Sequence, residues 1–434
     1  MNRSRIDTYI AEQEQLKTLT RRDLEAVQLS KLNRLLSCER ERGGFYRNLP
    51  GNLGSLRDLA SLPFTTDEDL AHRAGEMLMT SQGAVQRVLS DATSGTTGAA
   101  KRVFYSESDL ERTVRLYTAG LGELIFPGSV TLIGFPFSGS FGLGELIAEA
   151  VTRLGARPLL LGPGLSYGEY RDILVREQPD SFVGMPVQLL SLLRVCGRGS
   201  LRRALVSGDA CPDSVISGCE SILGSRLFPH YGSREMGMAG AITCPAHEGM
   251  HLRETDVIAE IIDPAGNVLP HGETGELVIT TVGMEALPLI RYRTGDYTRI
   301  LPSPCPCGSE VIRIDRLQRG GEEGLLSRLD DAMFRLPELA DYRIARGSAG
   351  FTVHALTVCE ARLELERILK EFFPGEEFRI TCVGHEAPVT LKGLGHCTIN
   401  FSGATEAELP GTIYVEAKPM PEVKIGTTLQ IVEK

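Results

Sequence analysis

The stretch Ser94-Gly-Thr-Thr-Gly-Ala-Ala-Lys101 places two glycines, three hydroxyl residues and a lysine within eight positions. Glycine lets the backbone approach a ligand closely, so that successive N–H groups and hydroxyls surround an anion while the lysine adds a point charge. Strand-like runs flank the stretch, at Val85–Ser90 and Arg102–Tyr105. It lacks the Gly-Lys-Ser/Thr ending of a Walker A loop. A phosphate cradle and a polar hairpin turn are therefore the two interpretations of this stretch on its own.

Length and composition narrow the class of protein. With 434 residues and 42% hydrophobic content, the chain is long enough for two or three globular domains. A net charge of -10 without a long basic run argues against nucleic-acid binding. The polar N-terminus resembles no signal peptide, and no apolar run approaches the roughly 20 residues of a membrane span. We therefore expect a soluble cytoplasmic protein without a membrane span.

Strand and helix patterns alternate from residue 129 to residue 205, which predicts a mostly parallel α/β sheet. Before this region, helical periodicity extends from Arg5 to about Arg42. After Asp256 the pattern changes to strands joined by Pro/Gly turns, one of them at Leu287–Tyr292. This predicts a β-rich subdomain at about residues 250–315.

A polar stretch rich in Arg, Gly and Glu, at residues 316–324, is the best linker candidate. The expected fold is α/β. A large N-terminal body, residues 1–318, carries the β-rich subdomain, and a small α+β C-terminal domain covers residues 319–434.

Two further segments, Tyr231-Gly-Ser-Arg-Glu235 and Arg291-Tyr-Arg-Thr-Gly-Asp296, follow Ser94–Lys101 along the chain. In this order the three resemble the signatures of the adenylate-forming superfamily, which includes acyl-CoA synthetases, firefly luciferase and peptide-synthetase adenylation domains. The segments Leu62–Leu70 and Asp263–Pro270 resemble those of phenylacetate-CoA ligases in particular. The resemblance extends from about Leu24 to Arg319.

The resemblance implies an AMP-forming acid–thiol ligase. A carboxylic acid, aryl or otherwise apolar, attacks the α-phosphorus of MgATP and expels pyrophosphate, and the thiol of CoA then attacks the acyl-adenylate. Two alternatives stay open: an adenylyltransferase or acyl transfer to a non-CoA acceptor such as a protein, and a nucleotide-binding protein that has lost catalysis. Relatives are often dimers, so a homodimer is also an expectation.

The resemblance also assigns roles to residues. The expected catalytic residues are Lys101, Thr97, Glu235 and Arg319, with Glu235 as the Mg²⁺ ligand, while Tyr231 packs on adenine and Asp296 accepts hydrogen bonds from the ribose hydroxyls. The acid pocket is expected at Phe135–Gly142 and Gly232-Ser233. The nucleotide-binding set is Ser94, Gly95, Thr96, Thr97, Gly98, Lys101, Ser207, Gly208, Asp209, Ala210, Tyr231, Gly232, Ser233, Glu235, Asp296 and Arg319.

A second constellation consists of Cys244, His251, Cys305 and Cys307. Three thiols and an imidazole are the ligands that tetrahedral structural Zn²⁺ prefers. His247 is the rival histidine, and the alternative is four unrelated residues in loops. The metal would stabilise the β-rich subdomain and take no part in catalysis.

The C-terminal region departs from the superfamily pattern. Arg319 matches the hinge arginine, but the hinge aspartate has no clear counterpart. Relatives carry a catalytic lysine in a Gly-Lys segment near the end of the chain, where this chain has His396, with Lys392 close by. A neutral histidine supplies little of the charge of a lysine. Which residue, if any, replaces that lysine is therefore open.

Overall fold

The structure, a computed structural model, describes residues 4–91, 101–135, 142–161, 165–302, 304–319, 321–347 and 350–384. The helices, in chain order, are α1 (Arg5–Glu14), α2 (Arg21–Arg42), α3 (Asp67–Met77), α4 (Glu107–Leu121), α5 (Leu143–Arg153), α6 (Tyr167–Glu177), α7 (Pro186–Cys196), α8 (Asp213–Leu223), α9 (Gly321–Met333) and α10 (Arg362–Phe372). Short 3-10 helices lie at Leu56–Ser61, Gln82–Ala84 and Arg234–Met236.

The strands, in chain order, are β1 (Val85–Asp91), β2 (Lys101–Ser106), β3 (Val130–Ile133), β4 (Arg157–Leu160), β5 (Ser181–Gly184), β6 (Arg203–Val206), β7 (Phe228–Tyr231), β8 (Ala241–Thr243), β9 (Met250–Leu252), β10 (Ile258–Ile262), β11 (Gly275–Thr280), β12 (Tyr292–Thr298), β13 (Arg313–Ile314), β14 (Gln318–Arg319), β15 (Leu339–Gly347), β16 (Gly350–Thr357) and β17 (Phe378–Gly384).

The chain divides into two compact units. The first consists of Met1–Glu123 and Phe228–Gln318, and the second of Leu124–Leu227 and Arg319–Lys434. The domain boundaries expected from the sequence stay a prediction. Within the ranges that the structure describes, no helix has the length and apolar character needed to cross a membrane.

The second unit contains a parallel sheet in the order β4-β3-β5-β6. Phe182 and Val183 of its strand β5 have no exposed surface, as is typical of parallel strands covered on both faces. Helices α5 to α8 follow β3 to β6 in alternation, and this confirms the α/β pattern predicted from the sequence. The same unit holds the antiparallel pair β15–β16, to which β17 adds in parallel after α10.

The first unit is built around antiparallel strands. One sheet has the order β13-β9-β8-β7 and another the order β10-β11-β12. Strands β9 to β13 fall within the β-rich stretch predicted at about residues 250–315. Strands β1 and β2 pair antiparallel, with Asp91 opposite Lys101.

Two elements differ from the sequence expectation. The helical pattern between Arg5 and Arg42 corresponds to two separate helices. The first ends because Gln15, directly after α1, takes a left-handed conformation with φ of 54°. A capping box between Thr20 and Asp23 then begins α2. Local hydrogen bonding of this kind competes with a continuous helix and is hard to see in an apolar pattern.

The strand predicted at Leu287–Tyr292 begins only at Tyr292. Pro288 has no backbone N–H to give to a ladder, and Arg291 has a φ of 50°. Apolar residues in this segment are buried because they line the core of the first unit, not because they form a strand. The prediction of a strand in this segment was therefore wrong.

Candidate active site

The backbone of the segment Leu62–Leu70 pairs with the start of β12 at one residue. Thr65 forms a one-residue parallel bridge with Tyr292. The next residue, Thr66, is the N-cap of α3, and its side chain accepts a hydrogen bond from the backbone N–H of Asp69. Asp67 is consequently the first residue of the helix, where its carboxylate accepts a hydrogen bond from the Tyr292 hydroxyl.

Lys101, the first residue of β2, lies at the centre of this cluster. Its Nζ is 3.2 Å from Asp67 Oδ1, 3.3 Å from Glu235 Oε1 and 3.4 Å from the Tyr292 hydroxyl. Burial alone would lower the pKa of Lys101, but the carboxylates of Glu235 and Asp67 outweigh it and raise that pKa above its ordinary value. Lys101 is therefore a charged ammonium held against two carboxylates.

Tyr292 is buried beneath the same cluster, with 1% of its surface exposed. Burial, followed by the negative charge of Glu235, raises the pKa of its phenol well above the ordinary value. The phenol thus keeps its proton at neutral pH. Its oxygen lies 3.3 Å from Glu235 Oε1 in addition to its contact with Asp67.

Glu235 lies on a 3-10 helix, and several carbonyl groups in and after this helix accept hydrogen bonds from side chains. Four consecutive or nearby carbonyl oxygens accept hydrogen bonds from buried side chains of β2, α4 and the segment after β9. These are Tyr105 to the Arg234 carbonyl, Arg253 to Met236, Thr113 to Gly237 and Tyr117 to Met238. The backbone that carries Glu235 is therefore fixed before any ligand arrives.

Gly232 has a steric reason to be glycine. A Cβ at this position would lie 2.7 Å from the carbonyl oxygen of Met238, closer than real Cβ contacts allow. The chain can therefore turn from β7 into the Glu235 helix at this point only without a side chain.

Asp296 is placed by an irregularity in β12. The pairing of β11 with β12 shifts register between Val278–Arg293 and Glu276–Tyr297, which marks a bulge in β12. Gly295 within it has a φ of 72°, a conformation that favours glycine. The bulge directs Asp296 toward Tyr231, whose hydroxyl donates a 2.8 Å hydrogen bond to Asp296 Oδ2.

The other predicted nucleotide contacts fall in the second unit or outside the described residues. Ser207 to Ala210 follow β6, where Gly208 has a φ of 85° and Asp209 Oδ1 accepts a 2.7 Å hydrogen bond from the Ala210 N–H. Arg319 ends β14. The expected positions outside the described residues are Ser94, Gly95, Thr96, Thr97, Gly98, most of Phe135–Gly142, Lys392 and His396.

The predicted metal ligands come together in the first unit. Antiparallel pairing of β8, β9 and β13 brings Cys244, at the end of β8, toward His251 on β9 and the turn that carries Cys305 and Cys307. The four ligand atoms lie within 4.8 Å of one another, and all four residues are buried. Cys244 Sγ is 3.6 Å from Cys305 Sγ, and Cys307 Sγ is 3.5 Å from His251 Nε2.

Protonation in this cluster follows from burial. Desolvation, and then the nearby positive charge of Arg313, lowers the pKa of His251 to about 4, so its imidazole is neutral at pH 7. Burial raises the pKa of the Cys244 and Cys307 thiols. His247, the rival ligand, instead packs its ring against Phe228 at a centroid distance of 4.5 Å.

Sequence reasoning missed two members of the Lys101 cluster, Asp67 and Tyr292. Both stand inside segments that had been recognised, Leu62–Leu70 and Arg291–Asp296. A signal was available, since an aspartate directly after an N-cap threonine is a charged group on a fixed backbone. Its partner could not be read from spacing, because the Thr65 bridge joins positions more than 200 residues apart.

The chain is similar to several known proteins. The family model described as AMP-binding enzyme matches residues 92–285. A phenylacetate-coenzyme A ligase of Thermus thermophilus is 28% identical over 390 residues, which cover 83% of this chain and 85% of the relative. A phenylacetate-coenzyme A ligase of Escherichia coli K12 is 29% identical over 334 residues, 72% of this chain and 75% of the relative.

A solved structure of 2-hydroxyisobutyryl-CoA ligase, in the postadenylation state in complex with 2-HIB-AMP, superimposes with a TM-score of 0.72. The likeness covers 88% of this chain and 91% of that chain at 17% identity. At this identity the likeness concerns the fold, and it confirms the α/β architecture expected from the sequence.

The C-terminal region has a second similarity that sequence reasoning did not find. The family model described as PTS system glucitol/sorbitol-specific IIA component matches residues 355–430. The glucitol/sorbitol-specific EIIA component of Escherichia coli K12 is 47% identical over 45 residues, which are 10% of this chain and 36% of that protein. The chain thus spans about a third of the length of this relative.

Proposed function

Because this chain belongs to the adenylate-forming superfamily, close to the phenylacetate-CoA ligases, we propose that it joins a carboxylic acid to CoA through an acyl-adenylate. The carboxylate oxygen bonds to the α-phosphorus of ATP, and pyrophosphate leaves with the electrons of the broken P–O bond. The CoA sulfur then bonds to the acyl carbon, its proton is lost to solvent, and AMP leaves. One observation carries the proposal: Lys101 and Glu235, from distant motifs, lie 3.3 Å apart.

In this proposal, different residues bind different parts of the nucleotide. Lys101 supplies a positive charge to the phosphates, which is the stabilisation that phosphoryl chemistry needs most. Asp296, oriented by Tyr231, accepts hydrogen bonds from the ribose hydroxyls. Thr97 and Arg319 are proposed as further phosphate or ribose contacts.

The site also suits the Mg²⁺ that accompanies a triphosphate. Glu235 is 8% exposed, and its carboxylate already attracts a cation, the Lys101 ammonium, in this structure. Carboxylate oxygens are the protein ligands that Mg²⁺ prefers. Glu235 would hold the metal, which neutralises phosphate charge when bound.

We further propose that Cys244, His251, Cys305 and Cys307 hold one structural Zn²⁺. Support comes from the mutual distances of the four ligand atoms and from the soft donor set. The metal would connect the end of β8, the middle of β9 and the turn between β12 and β13.

Pyrophosphate release tests the main proposal. Full-length protein is incubated with MgATP and a panel of aryl and aliphatic acids, with and without CoA, and acyl-CoA is measured alongside. Lys101→Ala is expected to abolish acid-dependent release, whereas Arg102→Ala, an exposed neighbour on the same strand, retains it. Full activity in Lys101→Ala would contradict the assignment of the site.

The C-terminal similarity supports a second candidate function, with a different acceptor for the acyl group. A C-terminal region related to a IIA component favours transfer to a non-CoA acceptor, or a function other than ligation for residues 355–430. Acid-dependent pyrophosphate release without acyl-CoA would favour this candidate, and ATP binding without release would favour lost catalysis.

Variants in the full chain address the C-terminal residues directly. Loss of acyl-CoA formation in Lys392→Ala or His396→Ala, with folding unchanged, would identify the replacement for the C-terminal lysine. Unchanged activity in both would assign that region to another role. A cytoplasmic location and a homodimer also stay predictions.

A further inference from the structure

The segment Leu62–Leu70 contributes a charge to the Lys101 cluster that no role described above uses. Asp67 is 3.2 Å from Lys101 Nζ, and its side chain is 58% exposed while that of Lys101 is 21% exposed. The Tyr292 hydroxyl, itself buried, donates to the same carboxylate and so keeps it beside the ammonium. Asp67 therefore belongs to the phosphate end of the site.

The hydrogen-bonding capacity of Lys101 is filled in this arrangement. An ammonium group has three donors, and Asp67, Glu235 and Tyr292 lie within reach of all three. A phosphate oxygen can bind Lys101 only by displacing one of these acceptors. Asp67 is the more exposed of the two carboxylates, so its displacement costs least.

The charges of the cluster do not favour a bare polyphosphate. The Arg234 guanidinium, outside the Lys101 cluster, interacts with the charge of Glu235. Within the cluster itself, two carboxylates and one ammonium sum to one net negative charge. A nucleotide without metal meets this charge directly, whereas one that carries Mg²⁺ brings two positive charges to it. The charge of Asp67 thus weakens the binding of metal-free ATP more than the binding of Mg²⁺-bound ATP.

We propose that Asp67 is a specificity-determining residue that makes the site select metal-bound ATP over free ATP by competing with the phosphates for Lys101. The inference rests on the proposed function of the site as an ATP site. Asp67 acts through Lys101 and is a positioning residue, so its effect appears in the binding of the nucleotide and does not require turnover.

Calorimetric titration of the full-length protein tests this. Dissociation constants of ATP are measured in excess Mg²⁺ and in Mg²⁺-free buffer without a chelator. The dissociation constant without Mg²⁺ divided by that with Mg²⁺ gives the preference for the metal-bound form. Asp67→Asn removes one charge at nearly constant shape. We expect it to tighten the binding of free ATP by about five-fold and to lower the ratio accordingly, as for a like charge in largely aqueous surroundings.

Glu68→Gln is the matched control. Glu68 is exposed in the first turn of the same helix. Its variant therefore also removes one negative charge from the helix N-terminus, but at a side chain that does not contact Lys101. The ratio of dissociation constants in Glu68→Gln is expected to stay within about two-fold of the ratio in the unmodified protein, because solvent and salt screen an exposed charge that is farther from the phosphates. Asp67→Glu should restore the preference, and Asp67→Ser repeats the loss of charge if the asparagine variant is unstable.

The outcomes separate the two proposals. A ratio in Asp67→Asn equal to that of the unmodified protein, or an equal drop in Glu68→Gln, overturns this inference and leaves the ATP site intact. Failure of the unmodified protein to bind ATP in either condition overturns the proposed function and this inference together.

Discussion

The Tyr231 hydroxyl donates a hydrogen bond of 2.8 Å to Asp296 Oδ2. The two residues come from different motifs, one at the end of β7 and one in the bulge of β12. A second contact joins the same two motifs. Glu235 lies four residues after Tyr231, Tyr292 lies four residues before Asp296, and the Tyr292 hydroxyl is 3.3 Å from Glu235 Oε1. The two motifs therefore run antiparallel, with Asp296 at one end and the Lys101 cluster at the other.

Asp296→Ala should reduce kcat/KM for ATP in acid-dependent pyrophosphate release by about 100-fold. The variant loses the carboxylate expected to accept hydrogen bonds from both ribose hydroxyls, and hydrogen bonds to charged groups contribute about 1.5–3 kcal/mol each. Tyr231→Phe is the control, since it removes only the hydroxyl that orients Asp296 and is expected to cost about five-fold. Equal losses in both variants would contradict a direct role for Asp296.

Protein purified without chelators should contain about one zinc per chain, measured by elemental analysis. Cys305→Ser should lose the metal and lower the melting temperature, because a structural zinc site contributes its binding energy to folding. Cys359→Ser, which changes an exposed cysteine, should change neither quantity. A metal content near zero in the unmodified protein would remove the zinc proposal.

Stability should fall as the pH decreases from about 6.5. Burial, and then the charge of Arg253, lowers the pKa of His230 to about 3, so the folded protein excludes a proton that the unfolded chain binds below its ordinary pKa. The contribution of neutral His230 is complete above about pH 6.5 and is lost progressively as the pH falls toward 3. The slope attributable to it reaches about 1.4 kcal/mol per pH unit.

The measurement is urea unfolding at several pH values between 4 and 7. His230→Gln should flatten the pH dependence in this range, whereas His271→Gln, at an exposed site, should leave it unchanged. An identical slope in His230→Gln would show that other groups cause the acid sensitivity.

Arg291→Lys should destabilise the first unit by about 3 kcal/mol in urea unfolding. The guanidinium forms a bidentate pair with Glu260 at 3.0 and 3.1 Å, and it also donates to the carbonyl groups of Ala60 and Leu62. A lysine keeps the positive charge but lacks the planar set of N–H donors that forms these hydrogen bonds. Arg293→Lys, two residues away, should cost less, about 1 kcal/mol, because the Arg293 side chain is 42% exposed although its partner Glu276 is buried.

The α/β rhythm of the second unit was predictable because each buried strand is a short apolar run bounded by turn residues. Phe182 and Val183 are one example. The backbone of Leu287–Tyr292 could not be predicted in the same way, because an apolar run around Pro288 indicates burial without specifying the backbone conformation. The left-handed Arg291 depends on its long-range contacts with Glu260 and the Ala60 carbonyl, which no local pattern reveals.

The order of the recognised motifs assigned both Lys101 and Glu235 to one nucleotide site, and the two side chains lie 3.3 Å apart in the structure. The roles of both residues in nucleotide binding stay predictions. The position of Asp67 could not be predicted, since it depends on the one-residue bridge between Thr65 and Tyr292. The grouping of Cys244, His251, Cys305 and Cys307 was predictable from ligand chemistry, which limits the choice to a few residues in 434.

A metal bound by Cys244, His251, Cys305 and Cys307 would also affect the nucleotide site, because it would close a loop of the chain. Cys244 and Cys305 are 61 residues apart in sequence, and both Tyr292 and Asp296 lie on the loop that a shared metal would close. Closing a loop of that length removes conformational freedom from the unfolded chain, much as a cross-link does. Chelation would then appear in an assay as weakened ATP binding, and an inhibitor screen could mistake a metal scavenger for a competitor of the nucleotide.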